Sequence, residues 1–258
     1  MGENPMSDAT DAVRPAAKRD LPSDMKDRLI VALDLDSVAA AQEMVRQLDG
    51  MVSFFKVGLG LLFVAGVDDL IASLIASGKK LFLDTKMFDI PQTVANGVAS
   101  VARRGVSFVT VHGDEAIMRA AVKAKGTSNL KIFAVTVLTS LDDEAAKAMG
   151  YAHSVRDLVT LRARTAVECG CDGIIASAED DPNRLRIAAQ SQSLLITTPG
   201  IRMPGGETHD QKRVATPQRA IESGADYLVV GRPIIAATDP RQAALRIIAD
   251  MRAAARTA

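Results

Sequence analysis

The feature that most constrains this chain is a rhythm. Short apolar, β-rich runs alternate with amphipathic stretches about eight times. The runs fall at 28–35 (RLIVALDL), 53–57, 80–84, 108–111, 131–138, 173–176, 194–197 and 227–230. Between them apolar residues recur at helical spacing. Ala41, Met44, Val45 and Leu48 follow the capping residue Ser37, and Val94, Val98 and Val101 follow Pro91, which a first helical turn tolerates. Ala244, Ile247, Ile248 and Met251 mark a closing helix. Further helices are expected at 70–76, 116–123, 154–168, 183–190 and 216–223. Strands that are apolar on both faces and covered by helices form a parallel sheet. Eight such units in 258 residues favour an α/β fold of one closed (β/α)8 TIM barrel over an open doubly wound sheet. No linker, second domain or low-complexity block interrupts the pattern. Residues 27–258 therefore read as a single barrel domain.

Residues 1–26 mix charges and prolines without an apolar centre, so they read as a disordered tail and not as a secretory signal. Lys+Arg and Asp+Glu are both 31, so no chain-wide basic field exists for nucleic acid or an anionic membrane. Aromatic residues make up 3% with no tryptophan, too few for base-stacking platforms. No run approaches the roughly 18 apolar residues of a membrane span. Cys169 and Cys171 are too close for an easy disulfide and read as reduced thiols of a cytoplasmic protein. Arg156, Arg162 and Arg164 read as the wet face of a helix.

In (β/α)8 barrels chemistry sits at the C-terminal ends of the strands. Here those ends carry Asp34, Lys56, the segment Asp84-Thr85-Lys86 with Asp89 beyond it, Thr139-Ser140, Gly200-Ile201-Arg202 and Gly231-Arg232-Pro233. Asp84 and Lys86 are two apart, so on a strand both point to one side. The long irregular stretch 201–215 (IRMPGGETHDQKRVA) has the length of a lid or binding loop.

Six segments in order, VALDLD, FFKVG, FLDTKMFDIP, VTVLTS, TTPGIR with the following HDQKR, and VVGRP, make the chain resemble the orotidine 5′-phosphate decarboxylase family from about Arg28 to the C-terminus. The resemblance implies conversion of orotidine 5′-monophosphate to UMP and CO2, without cofactor or metal, in a homodimer with shared active sites. It implies an alternating charged array of Lys56, Asp84, Lys86 and Asp89, with Asp89 reaching into the neighbouring subunit's site. It also implies that Asp34 and Lys56 address the ribose, that Thr93 contacts the ribose across the interface, and that Thr139 recognises the pyrimidine. Gln211 and Arg232 would hold the phosphate with main-chain help from Gly231, and Arg202 lies in the substrate-binding loop.

Loss of CO2 from C6 leaves an electron pair with no adjacent carbonyl sink, so fixed electrostatics must stabilise it. Lys86 is the expected general acid. Asp84 sits near the place of the substrate carboxylate, and that repulsion is relieved as CO2 departs.

Several alternatives stay open on the residues alone. The charged array could be a buried ion-pair network that merely orders the barrel mouth. Gly58-Leu59-Gly60 mimics a dinucleotide fingerprint, but Phe63 replaces its third glycine. His112 either touches the site or is held structurally, while His153 and His209 read as solvated. Thr139 or Ser140 could be a simple cap. The Asp84-x-Lys86-x-x-Asp89 pattern also resembles magnesium-dependent hexulose-phosphate synthases and keto-gulonate-phosphate decarboxylases. Those lack the Ile-Pro and TPGIR segments present here. A non-catalytic phosphate-ligand binding barrel is the remaining rival.

Overall fold

The computed structural model describes residues 19–204 and 213–256. Eight parallel strands close in sequence order: β1 (Leu29–Ala32), β2 (Phe54–Gly58), β3 (Lys80–Met87), β4 (Phe108–His112), β5 (Lys131–Val135), β6 (Gly173–Ile175), β7 (Leu195–Thr198) and β8 (Tyr227–Val230). Closure is made by β1 pairing with β8, with Ile30 opposite Val229. The expected barrel is therefore the observed one. Its helices follow the apolar stripes: Val38–Gln47 is capped by Ser37, and Pro91–Arg103 buries Val94, Val98 and Val101. Short helices at Leu59–Leu62, Asp143–Ala148 and Arg232–Ile235 go beyond the sequence expectation, because fewer than two turns show no periodicity. Among the described residues no helix is long and apolar enough to cross a membrane.

Strand alternation sorts the barrel interior into layers. The lower layer holds Ile30, Phe54, Phe82, Phe108, Phe133, Leu195 and Tyr227. Phe108 lies at its centre, with ring centroids at 4.8 Å from Phe54, 4.5 Å from Phe133 and 5.2 Å from Tyr227. This aromatic plug makes the barrel solid below. Gly173 serves the plug, because a Cβ there would lie 2.4 Å from the Phe133 ring. Two residues further along each strand, the same face carries Ala32, Lys56, Asp84, Thr110, Val135, Ile175, Thr197 and Val229. Charged groups first enter the interior at this level, as Lys56 and Asp84.

The floor is fastened by ions. Arg186, fully buried, pairs with Asp226, and the Asp226 carboxylate also accepts the Ile196 N–H at 2.7 Å. Residues on the tail side of position 26 join this floor: Arg19 lies 3.3 Å from Asp226, Leu21 packs against the plug, and Met25 is buried. Cys169 and Cys171 are free and buried, and burial pushes the Cys171 thiol up to about 12. Arg162 corrects the wet-face expectation. Its guanidinium turns inward, bonding the Thr136 carbonyl and, at 3.1 Å, the Tyr151 hydroxyl. Helical spacing does not reveal such a choice, since a long side chain at the edge of a face can fold either way.

Candidate active site

The C-terminal mouth opens into a cavity of about 660 Å³, within the range that takes a small-molecule ligand. Asp34, Lys56, Asp84, Lys86, Thr139, Arg202, Gly231 and Arg232 all line it. Four of them form a chain of alternating charge. The Lys56 ammonium donates to both Asp34 carboxylate oxygens, at 3.1 and 3.2 Å, and lies 3.4 Å from Asp84 Oδ2. The Lys86 ammonium donates to Asp84 Oδ1 at 2.8 Å. The ends of the chain are wetter than its centre: side-chain exposure is 54% at Asp34, 10% at Lys56, 14% at Asp84 and 35% at Lys86. The Lys86 head therefore has one acid beside it and open cavity beyond.

Burial is the largest influence on the Asp84 carboxyl and pushes it up. The charges of Lys56 and Lys86, with hydrogen bonds from Lys86 and Thr110, outweigh that and hold it below the ordinary carboxylate range. Asp84 is thus an anion at neutral pH despite being mostly buried.

Lys86 does not reach Asp84 by plain strand alternation. The β3–β4 register breaks between Leu83 and Met87, and Lys86 adopts φ 46°. A non-glycine residue in that region costs of order 1–3 kcal/mol and persists only where surrounding bonds fix it. Here the Lys86 N–H donates to the Thr110 hydroxyl at 3.0 Å. Thr110 is a site residue that sequence reasoning missed, because a threonine inside a strand is unremarked there. Gly58 is another. A Cβ at this position would lie 3.0 Å from Asp34 Oδ1 and 3.3 Å from Lys56 Nζ. The Gly58-Leu59-Gly60 run thus makes room for an ion pair, and at Gly60 a Cβ would meet nothing within 4 Å.

Two expected residues stand apart from this cavity. Asp89 is exposed, with its carboxylate accepting the Ile90 N–H at 2.6 Å, and Thr93 is exposed on the helix Pro91–Arg103. Among the described residues Asp89 makes no ion pair with Lys56 or Lys86. Gln211 and His209 lie outside the described residues. His112 does not line the cavity; its imidazole stacks under the Phe88 ring at 4.2 Å. Burial, then the nearby Arg162 charge, lowers its pKa. His153 is exposed.

The base of the 201–215 stretch is tied. Ile201 and Ala215 form a bridge, with the Arg202 N–H donating to the Ala215 carbonyl at 2.9 Å. Arg213 anchors it further, 2.5 Å from the buried Asp180 and bonded to the Val137 and Leu138 carbonyls just before Thr139. Among the described residues no cluster of His, Cys, Asp and Glu has the makings of a metal site.

Comparison with known proteins points the same way. Residues 27–247 match the family described as orotidine 5′-phosphate decarboxylase / HUMPS. A protein of Afipia carboxidovorans named orotidine 5′-phosphate decarboxylase is 50% identical over 230 residues, covering 89% of this chain and 97% of that protein. A namesake from Nitrobacter winogradskyi is 50% identical over 226 residues, 88% of this chain and 93% of that one. The crystal structure of orotidine 5′-phosphate decarboxylase from Lactobacillus acidophilus superposes with a TM-score of 0.75 at 36% identity, covering 87% of this chain and 99% of that one.

Proposed function

The chain belongs to the orotidine 5′-phosphate decarboxylase / HUMPS family, and from that premise we infer that it converts orotidine 5′-monophosphate to UMP and CO2 in pyrimidine biosynthesis, as a cofactor-independent carboxy-lyase. The observation that carries the assignment of roles is the chain Asp34–Lys56–Asp84–Lys86 set into the cavity.

The reaction asks the protein to stabilise charge developing at C6 and then to supply a proton there. Lys86 does both: its ammonium, half open to the cavity, faces the electron pair left by departing CO2 and donates a proton to C6. The fixed position matters because a preorganised charge needs no reorientation during the reaction. Asp84 orients that ammonium. It also places an anion next to the substrate carboxylate, a repulsion that ends when CO2 leaves. Asp34 and Lys56 address the ribose hydroxyls, and Thr139 the pyrimidine. Arg232, with Gly231 and Gln211, holds the phosphate, and Arg202 belongs to the loop that covers the substrate. Phosphate binding far from C6 contributes to the rate when its contacts drive closure around the site.

The active unit is a homodimer with shared sites, in which Asp89 and Thr93 serve the partner's cavity. Their exposure supports this. So do the large apolar side chains on either side of Asp89 in the chain: Phe88 is 71% and Ile90 66% exposed. Apolar groups clustered at a mouth mark an interaction surface. Residues 27–258 make up the catalytic domain, with Arg19, Leu21 and Met25 joined to its floor, and free buried thiols suit a cytoplasmic location.

The magnesium-dependent reading of the same family is disfavoured by Lys56. A divalent cation at Asp84 would meet two ammoniums already within 3.4 Å of that carboxylate. The deciding experiment is an ultraviolet assay of orotidine 5′-monophosphate consumption with and without EDTA. Turnover insensitive to chelation supports the proposal, and loss of turnover on chelation favours the rival. Mixing a Lys86 variant with an Asp89 variant tests the shared site: one intact site per heterodimer should reappear, and none should if Asp89 acts within its own chain.

A further inference from the structure

Thr110 lies fully buried in the middle of β4, and its hydroxyl is engaged on both sides by the groups that carry the chemistry. A hydroxyl has one proton to donate. Here it goes to Asp84 Oδ1 at 2.9 Å, while the oxygen accepts the Lys86 N–H at 3.0 Å. The Thr110 carbonyl in turn accepts the Thr85 hydroxyl at 3.1 Å. One residue therefore holds three consecutive positions of the neighbouring strand, at the place where the β3–β4 register breaks and the backbone turns left-handed.

We propose that Thr110 is a positioning residue for the decarboxylation: its hydroxyl locks the left-handed backbone of Lys86 and the carboxylate of Asp84 into one geometry, so that the ammonium points at C6. The proposal rests on the reading of Lys86 as proton donor. A valine would fill the same volume and keep the β-branched shape that suits a strand. What it would lack is the bond to each partner. The Lys86 N–H would then be unpaired in a position that only surrounding bonds hold, and Asp84 would lose one of its donors. The displacement falls on the donor and not on the ribose or phosphate contacts, so turnover suffers more than binding.

A second consequence appears in the pH profile. Asp84 faces Lys56 from β2, Lys86 from its own strand and Thr110 from β4. Asp34 lies beyond Lys56, and Arg202 and Arg232 line the same cavity from the connections after β7 and β8. The Thr110 hydrogen bond is one of the influences that lower the Asp84 carboxyl. Removing it moves that carboxyl back up, so a higher pH is needed to ionise it and the acid limb of the kcat/KM profile shifts to higher pH.

The experiment compares Thr110→Val, Thr110→Ser and Lys86→Ala in the orotidine 5′-monophosphate assay, with UMP affinity and thermal unfolding measured alongside. The expected result for the valine variant is a kcat about 100-fold lower, the size of a small misplacement of a reacting group. Its KM and UMP affinity should stay within about threefold, the signature of an interaction made in the transition state. Its acid limb should move up, and the serine variant, which restores the hydroxyl, should recover both kcat and profile. Should valine fail to fold, Thr110→Ala, which likewise removes the hydroxyl, is read by the same split of kcat against KM. A valine variant with ordinary kcat and profile, beside an inactive Lys86→Ala, overturns the role of Thr110 and leaves the donor reading standing. So does a serine variant as impaired as valine. An active Lys86→Ala overturns the donor reading itself.

Discussion

Both ends of this barrel bury acids against bases, and they do so in opposite ways. At the floor, Arg186 is wholly enclosed. It donates to the Leu194 carbonyl at 2.9 Å and the Gly224 carbonyl at 2.8 Å besides its pair with Asp226. Arg28 adds bonds to the Asp226 and Ala225 carbonyls. Every arm of the floor network ends on protein. At the mouth, the chain of four charges ends on a cavity, and its last member sits on a strained backbone. Burial is the largest influence on both Asp226 and Asp84. At Asp226 it prevails and the carboxyl is raised; at Asp84 two ammoniums and two hydrogen bonds prevail and it is lowered. The signs follow. The stability that Asp84 contributes is present above its unfolded-state value and is lost as pH falls through its folded value. That of Asp226 is present at acid pH and lost as pH rises through its raised value. The floor uses ions to fix a shape, whereas the mouth holds an ion in readiness.

That contrast can be broken most sharply at Lys86. Lys86→Ala should lower kcat by at least about 10⁴-fold, the upper range for a general acid, with thermal unfolding little changed. Retained turnover in a steady-state assay would remove the mouth's chemical role. Next comes Arg186→Met. It leaves Asp226 buried without its main partner, and denaturant unfolding should show a loss of about 3–5 kcal/mol. The protein that remains folded should keep its kcat; a specific fall in kcat would mean that the two ends are coupled. Arg232→Ala should leave kcat much less affected than KM, which should rise by about 1.5–3 kcal/mol in equivalent terms, the worth of hydrogen bonds to a charged group. An unchanged KM would remove Arg232 from the phosphate. The smallest effect compares two inactive proteins. Lys86→Gly should be more stable than Lys86→Ala by about 1 kcal/mol, because glycine accepts a left-handed backbone without a steric penalty. Equal stabilities would show that position 86 stores no strain.

The fold was legible because strands buried on both faces cannot hide. Runs such as LIVA in β1 and YLVV in β8 show themselves by continuous apolarity, and Ser37 and Pro91 announce the helices that follow. The mouth was legible because charges at the ends of such runs are conspicuous, while the roles came only as what the family resemblance implies. What stayed hidden depends on backbone conformation or on contacts distant in sequence. Nothing in Asp84-Thr85-Lys86 signals a register break, since alternation alone already puts the two side chains on one face. Thr110 looks like any strand threonine until the third strand is laid beside the fourth. Asp89 and Thr93 carry site roles only by resemblance, since a single chain leaves both exposed and outside its cavity, with Phe88 and Ile90 exposed on either side of Asp89.

The missing side chain at Gly58 carries a lesson for anyone redesigning this enzyme. Position 58 has no charge and touches no substrate in the scheme above, yet one added methyl group would press on the carboxylate of Asp34 and the amine of Lys56 at once. A library that varies the charged residues to recruit new chemistry should therefore hold this codon fixed. One that seeks only to retune the existing reaction has here a purely steric dial, turning the spacing of the ions while leaving their number untouched.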